Sequence, residues 1–285
     1  MNKPFLKWAG GKSRIAIDID NILPYGKRLV EPFIGSGAVF LNTDYEEYLL
    51  ADLNNDLIDL YLTLQKEGSK FIRYCMGYFN PGNNTEEKYM TFRKEFNQTT
   101  DRKIKSAIFV YLNKHCFNGV CRYNSKGEFN VPFGSNKNPS FPKHEMMDFY
   151  LKSKRAVFKC SDFRDIMSNL KDGDVVYADP PYVPLSSTAS FVSYISEGFN
   201  IEDQEALAEI SHSCGRPVII SNHDTKITRD LYKNASAIES LEVNRSISCK
   251  GDKRESVKEI FALFNIERND RKSQKNLRAL FGHKD

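Results

Sequence analysis

Long apolar runs are missing from this 285-residue sequence. No stretch approaches the roughly 18 uncharged apolar residues of a membrane-spanning helix, so no membrane partner is expected. Cysteine is sparse and badly spaced for a metal cage: the 6 cysteines, at 75, 116, 121, 160, 214 and 249, form no CxxC, and the nearest pair is Cys116 and Cys121. They read as free thiols, not as a disulfide framework or a zinc site. Histidine is equally scarce, and His115, His144, His212 and His223 are too scattered for a metal site; no metal is expected. The first residues, Met1-Asn2-Lys3-Pro4, run within ten positions into charge and glycine. They lack the apolar core of a secretion signal, and a cytoplasmic location is the expectation. Phosphate-binding fingerprints are missing too: there is no GxxxxGK followed by Ser or Thr, and no full GxGxxG.

What is present fits an ordinary globule, with 40% hydrophobic and 27% charged residues, enough for one large core or two modest ones. The net charge of +4 is unevenly spread. Residues 61–145 hold 14 Lys and Arg against 7 Asp and Glu, whereas residues 1–60 and 146–265 are each net −3 and residues 266–285 are net +3. A basic middle block suits a polyanion partner, and a solvated basic surface is its bland alternative.

Residues 28–66 read as strand, glycine loop, helix, strand, helix. Arg28–Phe33 is an apolar run ending at Gly35-Ser36-Gly37, Tyr48–Ala51 is a second ending on Asp52, and Leu57, Leu60, Tyr61 and Leu64 recur at helical spacing. This is the opening of a doubly wound α/β domain. The pattern resumes with strands at 156–159, 175–178 and 218–221, helices at 163–170 and 201–213, and a β pair at 239–248 and 258–265. Between these halves, 85–97 and 102–115 read as helices, and 120–133 alternates around Asn124-Ser125-Lys126-Gly127, a plausible hairpin turn. The expected organisation is therefore a discontinuous catalytic domain, 1–60 with 146–265, around a recognition insert, 61–145. A loosely ordered basic tail, 266–285, would follow.

Three short segments carry the chemistry. Asp179-Pro180-Pro181-Tyr182 closes the apolar run 175–178. Two prolines fix φ and offer carbonyls without N–H groups; Asp179 adds a carboxylate and Tyr182 a flat face. A planar base with an exocyclic amino group would find two acceptors and a stacking surface, as base-modifying enzymes require. A Pro-rich strand exit without chemistry is the other reading. Glu31-Pro32-Phe33-Ile34-Gly35-Ser36-Gly37 is a strand-to-helix turn whose glycines admit a ligand close to the backbone. Asp52 ends the next strand, where nucleotide-binding α/β folds place the acid that bonds ribose hydroxyls. With no phosphate motif, the cofactor suggested is an adenosyl one such as S-adenosylmethionine; a purely structural glycine turn stays open. In Lys7-Trp8-Ala9-Gly10-Gly11-Lys12 the single tryptophan is a core residue or a ligand wall. Asp162-Phe163 would bond and pack an adenine, or Asp162 would simply cap a helix.

Taken together and in this order, the segments at 7–12, 31–37, 52–56 and 179–182 resemble Dam-type DNA adenine-N6 methyltransferases. So do Asn118-Gly119-Val120-Cys121-Arg122-Tyr123-Asn124, residues 127–134 and Ile220-Ser221-Asn222-His223-Asp224. The likeness spans roughly 3–265. It implies an α/β, Rossmann-like S-adenosylmethionine-dependent methyltransferase fold with an inserted helical and β-hairpin DNA-recognition domain. Trp8, Lys12, Phe33, Gly35, Asp52, Asp162, Phe163 and Asp179 would line the S-adenosylmethionine site, from which S-adenosylhomocysteine leaves as product. Asp179, the Pro180 carbonyl and Tyr182 would hold a flipped adenine of double-stranded DNA. Lys7 and Arg122 would read guanines of a GATC site. Val120 and Pro132 would sit against a thymine methyl, Asn118 and Asn124 near bases or phosphates, and Arg93 would clamp a phosphate. Phe117 and Ser135 depart from the pattern, standing where relatives often carry a wedging tyrosine and an arginine; Phe117 keeps the stacking area. Direct methyl transfer to N6 is implied, by a functional monomer with no obligate protein partner. Two rivals stand beside it: a methyltransferase acting on protein or RNA, and a non-catalytic GATC-binding protein.

Overall fold

The computed structural model describes residues 1–134, 136, 139–183, 199–243 and 257–267. Ser135, the 249–256 link and most of the 266–285 tail lie outside them. The strands are β1 (Arg28–Glu31), β2 (Glu47–Asp52), β3 (Ala156–Cys160), β4 (Asp174–Ala178), β5 (Val218–His223), β6 (Ala237–Val243) and β7 (Val257–Phe264). Their order in the sheet is β3-β2-β1-β4-β5-β7-β6. β1 runs parallel to β2 and β4, and β4 parallel to β5; β7 is antiparallel to β5 and β6. Val30, Val176 and Val218 stand side by side across three strands. Every residue of β4 is buried, which is why Val175–Ala178 is a continuous apolar run instead of an alternating one. The order reverses between β1 and β4, and at such a switch point the carboxyl ends of the strands open a ligand crevice. Asp179 follows the carboxyl end of β4.

By its internal contacts the chain divides into two compact units. One comprises residues 1–16, 34–43 and 52–160; the other comprises 17–33, 44–51 and the residues from 161 onward. The first unit holds α3 (Asn55–Glu67), capped by the Asn54 side chain, which accepts from the Leu57 N–H, and α6 (Arg102–His115), capped by Asp101. Its core is aromatic: Tyr61 stacks on Phe149 at 4.5 Å, with Phe5, Phe40 and Phe158 around Phe149. α5 (Glu86–Gln98) and α6 are the two helices expected of the insert. The hairpin is present as two isolated antiparallel bridges, Cys116 to Phe133 and Tyr123 to Phe129.

In the second unit Val30, Leu49, Val176, Ala178, Ile220, Leu207 and Phe264 belong to one apolar cluster. Asp174 of β4 is almost wholly buried, yet charged partners meet it: Arg28 Nε and Nη2 donate to its two oxygens at 2.8 and 2.7 Å. A forked guanidinium bond of this kind joins the opening residues of β1 and β4, and it holds the Arg28 pKa above its ordinary value.

Candidate active site

In the first unit the glycine loop is built around Trp8 and Asp52. Gly35 has φ +47°, and a Cβ there would lie 2.8 Å from the Trp8 indole nitrogen. The glycine therefore lets the indole lie directly on the loop backbone, so Trp8 is a wall of this loop. Asp52 accepts from the Gly35 N–H at 3.1 Å on one oxygen and from the Asn54 N–H at 3.0 Å on the other. Tyr61 Oη donates to the Gly35 carbonyl at 2.6 Å. Burial pushes the Asp52 carboxyl up, and the amide bonds oppose it. A carboxylate has more acceptor sites than the Asn54, Gly35 and Leu53 amides fill, which fits a ribose diol, and the indole beside the glycine fits a planar or aliphatic neighbour. Lys12 is turned inward: it is buried and its Nζ donates to the Gly10 carbonyl at 2.8 Å.

In the second unit Phe33, Phe163 and Phe199 meet pairwise, with ring centroids 5.5–5.6 Å apart. Phe163 is buried among them. Asp162 caps the helix α8 (Phe163–Met167) by accepting from the Arg164 N–H at 2.8 Å. The Arg164 guanidinium bridges Asp162 to Asp203. The capping alternative for Asp162 is thus its observed geometry, and its outer lone pairs are what remain for a ligand.

The Asp179–Tyr182 segment lies in the second unit also. Asp179 Oδ1 accepts from Ser221 Oγ at 3.0 Å. The Pro181 carbonyl accepts from Gln204 Nε2 at 2.7 Å. Tyr182 is half-buried; its hydroxyl donates to Glu259, and the His223 ring meets it edge-on at 4.7 Å. Burial and the carboxylates of Asp179 and Glu259 hold the Tyr182 hydroxyl far above the usual phenol range, so it stays neutral. Pro180 is itself buried, and among the described residues none donates a hydrogen bond to its carbonyl. Gln204 and Glu259 were not legible as site residues, because each is remote in sequence and of a common type; Ser221 stands in the Ile220–Asp224 segment of the resemblance, which attached no role to it.

The residues proposed to touch DNA divide into exposed tips and internal braces. Phe117 is 50% exposed, a large apolar ring on a surface, and Asn118 beside it adopts φ +53°. Gly119 carries the side chain of Lys7 against it, where a Cβ would come within 2.4 Å of the Lys7 Cδ. The Lys7 backbone is pinned by Asn113 through a bond at each end, both 2.8 Å. Pro132 is exposed and its carbonyl accepts from the Phe117 N–H at 3.0 Å. Val120 follows, partly exposed. Arg122 is exposed, and Asn130 Oδ1 accepts from its Nε at 2.8 Å. Asn124 closes the turn: its Oδ1 accepts from the Lys126 and Glu128 N–H groups at 2.9 and 3.0 Å. Arg93 Nη1 donates to the Val131 carbonyl at 3.0 Å, tying α5 to the hairpin. Lys114, which sequence reading passed over, has its pKa lowered to about 8 by burial and by Lys7.

Among the described residues no group of His, Cys, Asp and Glu is placed to hold a metal, and no helix is long and apolar enough to cross a membrane. The family model described as D12 class N6 adenine-specific DNA methyltransferase matches residues 8–247. The DNA adenine methylase of Vibrio cholerae is 48% identical to this chain over 266 residues, covering 92% of it and 96% of that protein. Those of Serratia marcescens and Escherichia coli are each 46% identical, covering 92% of this chain and 98% and 95% of theirs. These likenesses span both the glycine loop and the Asp179–Tyr182 segment, and the chain belongs to the D12 class of N6 adenine-specific DNA methyltransferases.

Proposed function

We propose that this DNA adenine methyltransferase acts on the adenine of GATC in double-stranded DNA and draws that base out of the helix to the Asp179–Tyr182 segment. The observation that carries the reading is the placement of Asp179, Pro180 and Tyr182 directly after the carboxyl end of β4, with the Asp179 carboxylate oriented by Ser221 and the Tyr182 ring by Glu259; the Pro180 carbonyl and the Asp179 carboxylate are the two acceptors. An exocyclic amino group has two hydrogens for two such acceptors. Its lone pair is delocalised into the ring, so N6 is a poor nucleophile. Two acceptors favour a pyramidal nitrogen and stabilise the positive charge that grows on it. The Tyr182 ring, anchored through its hydroxyl, offers a face for the base. S-adenosylmethionine would supply an electrophilic methyl when bound, and the residues of the first unit that would hold it are Asp52, Trp8, Gly35 and Lys12. Orientation of the bound base by Asp179, Pro180 and Tyr182 would supply the remaining acceleration.

Sequence choice is assigned to the hairpin in the 61–145 region. Arg122, braced by Asn130, and Lys7, seated on Gly119, read guanine edges. Phe117 is the wedge, Val120 and Pro132 face a thymine methyl, Asn118 lies near bases, and Arg93 and Asn124 act chiefly by shaping the hairpin. The enzyme works as a cytoplasmic monomer. The test is a plasmid grown with this protein in a host without adenine methylases. Cleavage by a restriction enzyme that needs methylated GATC, with protection from one that methylation blocks, is expected. Methylated adenine confined to another sequence would overturn the GATC assignment and leave the chemistry standing.

A further inference from the structure

Five residues, Asp179–Val183, leave β4, and alternate members are tied to buried side chains. Asp179 accepts from Ser221 Oγ at 3.0 Å, the Pro181 carbonyl accepts from Gln204 Nε2 at 2.7 Å, and the Val183 N–H donates to Asn222 Oδ1 at 3.1 Å. Ser221, Asn222 and Gln204 are completely buried. They come from two elements, β5 and the helix α9 (Ile201–Ser213). Behind them the bonds continue. Asn222 Nδ2 donates to Gln204 Oε1 at 3.3 Å and to Tyr232 Oη at 3.0 Å, and Tyr232 Oη donates to Gln204 Oε1 at 3.1 Å. Tyr177 Oη lies 3.0 Å from Ser221 Oγ.

The direction of these bonds is forced. Asn222 Oδ1 takes the N–H groups of Val183 and, at 2.9 Å, of His223. Its amide nitrogen must then face Gln204 Oε1, which in turn aims the Gln204 nitrogen at the Pro181 carbonyl. A buried network of amides is worth its desolvation only when every member is satisfied, and this one is satisfied by the loop itself. Both prolines have φ fixed, so ψ is the soft torsion left at each, and ψ sets where each carbonyl points. Anchoring Pro181 and Val183 fixes the peptide planes beyond Pro180. Pro180 lies between the tied Asp179 and Pro181, and the Tyr182 ring is held through its hydroxyl by Glu259; these two residues supply a carbonyl and a ring to the base.

We propose that Gln204, acting with Asn222 and Ser221, is a positioning residue for methyl transfer, holding the Pro180 carbonyl in the direction from which it accepts an adenine amino hydrogen. The proposal rests on the reading of Asp179–Tyr182 as the base site. Gln204 touches neither substrate, so its loss acts on kcat and not on affinity.

The experiment compares wild type, Gln204→Met and Asp179→Ala, each full-length and normalised to active enzyme by titration with labelled S-adenosylmethionine. Single-turnover methyl transfer to a GATC duplex is measured beside DNA affinity by anisotropy and cofactor affinity by calorimetry. Gln204→Met, similar in length but without an amide, is expected to slow transfer about tenfold to a hundredfold, as misplacement of a reacting group does. Both affinities should stay within about twofold. If Gln204→Met does not fold, Tyr232→Phe removes only one hydroxyl of the network and should slow transfer about threefold with unchanged affinities. Wild-type rates in the folded variant, or a loss confined to affinity, would overturn the proposal. If Asp179→Ala is inactive while the network variant is normal, only the clamp fails; if Asp179→Ala turns over normally, the base site itself was misassigned.

Discussion

The Asp179–Val183 loop and the Cys116–Gly134 hairpin solve different problems with different bonds. The loop is fixed by buried side chains of β5 and α9 that grip its backbone at Pro181 and Val183 and the carboxylate of Asp179. The hairpin is fixed by its own turn and by α5, and it leaves its reading groups outside: Phe117, Arg122 and Pro132 are exposed. Chemistry needs acceptors held within a fraction of an ångström. Base reading needs long side chains that reach into a groove and are ordered there. The contrast teaches that the two functions can be broken separately, and by different kinds of substitution.

The largest effect should come from the loop. Asp179→Ala is expected to slow methyl transfer by about a thousandfold or more, because it deletes one of two preorganised acceptors. Duplex binding should survive, and substantial turnover in a quench assay would remove Asp179 from the chemistry. Next comes the hairpin. Arg122→Ala should lose about 1–3 kcal/mol of discrimination at one guanine, read as a changed ranking of single-base variants. A uniform fall over all duplexes would make Arg122 a phosphate clamp instead. Asp52→Ala should weaken cofactor binding by about 1–3 kcal/mol, the worth of a charged acceptor, and unchanged calorimetry would place the ribose elsewhere. Asn130→Ala, which removes only the brace on Arg122, should cost about 1 kcal/mol of the same discrimination.

The smallest effect concerns pH. The folded chain lowers the Lys114 pKa to about 8, whereas an unfolded lysine titrates near ~10.4. Between these values the unfolded state binds more protons, so stability should rise with pH across that window. Lys114→Met should flatten the rise in pH-dependent urea melts. An unaltered slope would mean that Lys114 is as hydrated as any surface lysine.

The same contrast explains what could be read from the sequence. β4 and β5 were legible because their buried stretches Val175–Ala178 and Val218–Ile220 are continuous apolar runs. α5 and α6 were legible from their spacing and lie within one or two residues of the expected bounds. The glycine loop and Asp179–Tyr182 are contiguous, and so carry a local signal. α4 (Ser69–Met76) and α7 (Lys143–Ser153) gave no comparable pattern in short, mixed stretches. Gln204 acts through partners distant in the chain, Asn130 through a bond across a hairpin, and Lys114 is only partly hidden from water, none of which a spacing rule encodes. Asp162 shows the limit from the other side: the carboxylate is where the reading put it, and a helix cap uses part of its capacity.

One matrix of measurements tests the separation most directly: tritiated methyl transfer and duplex affinity for wild type, Asp179→Ala and Arg122→Ala, each on GATC and every single-base variant. The account predicts that Asp179→Ala loses transfer on all duplexes while keeping the wild-type ranking of affinities, and that Arg122→Ala keeps transfer but flattens the ranking at one guanine. Loss of ranking in Asp179→Ala, or abolition of transfer on every duplex by Arg122→Ala, would contradict it.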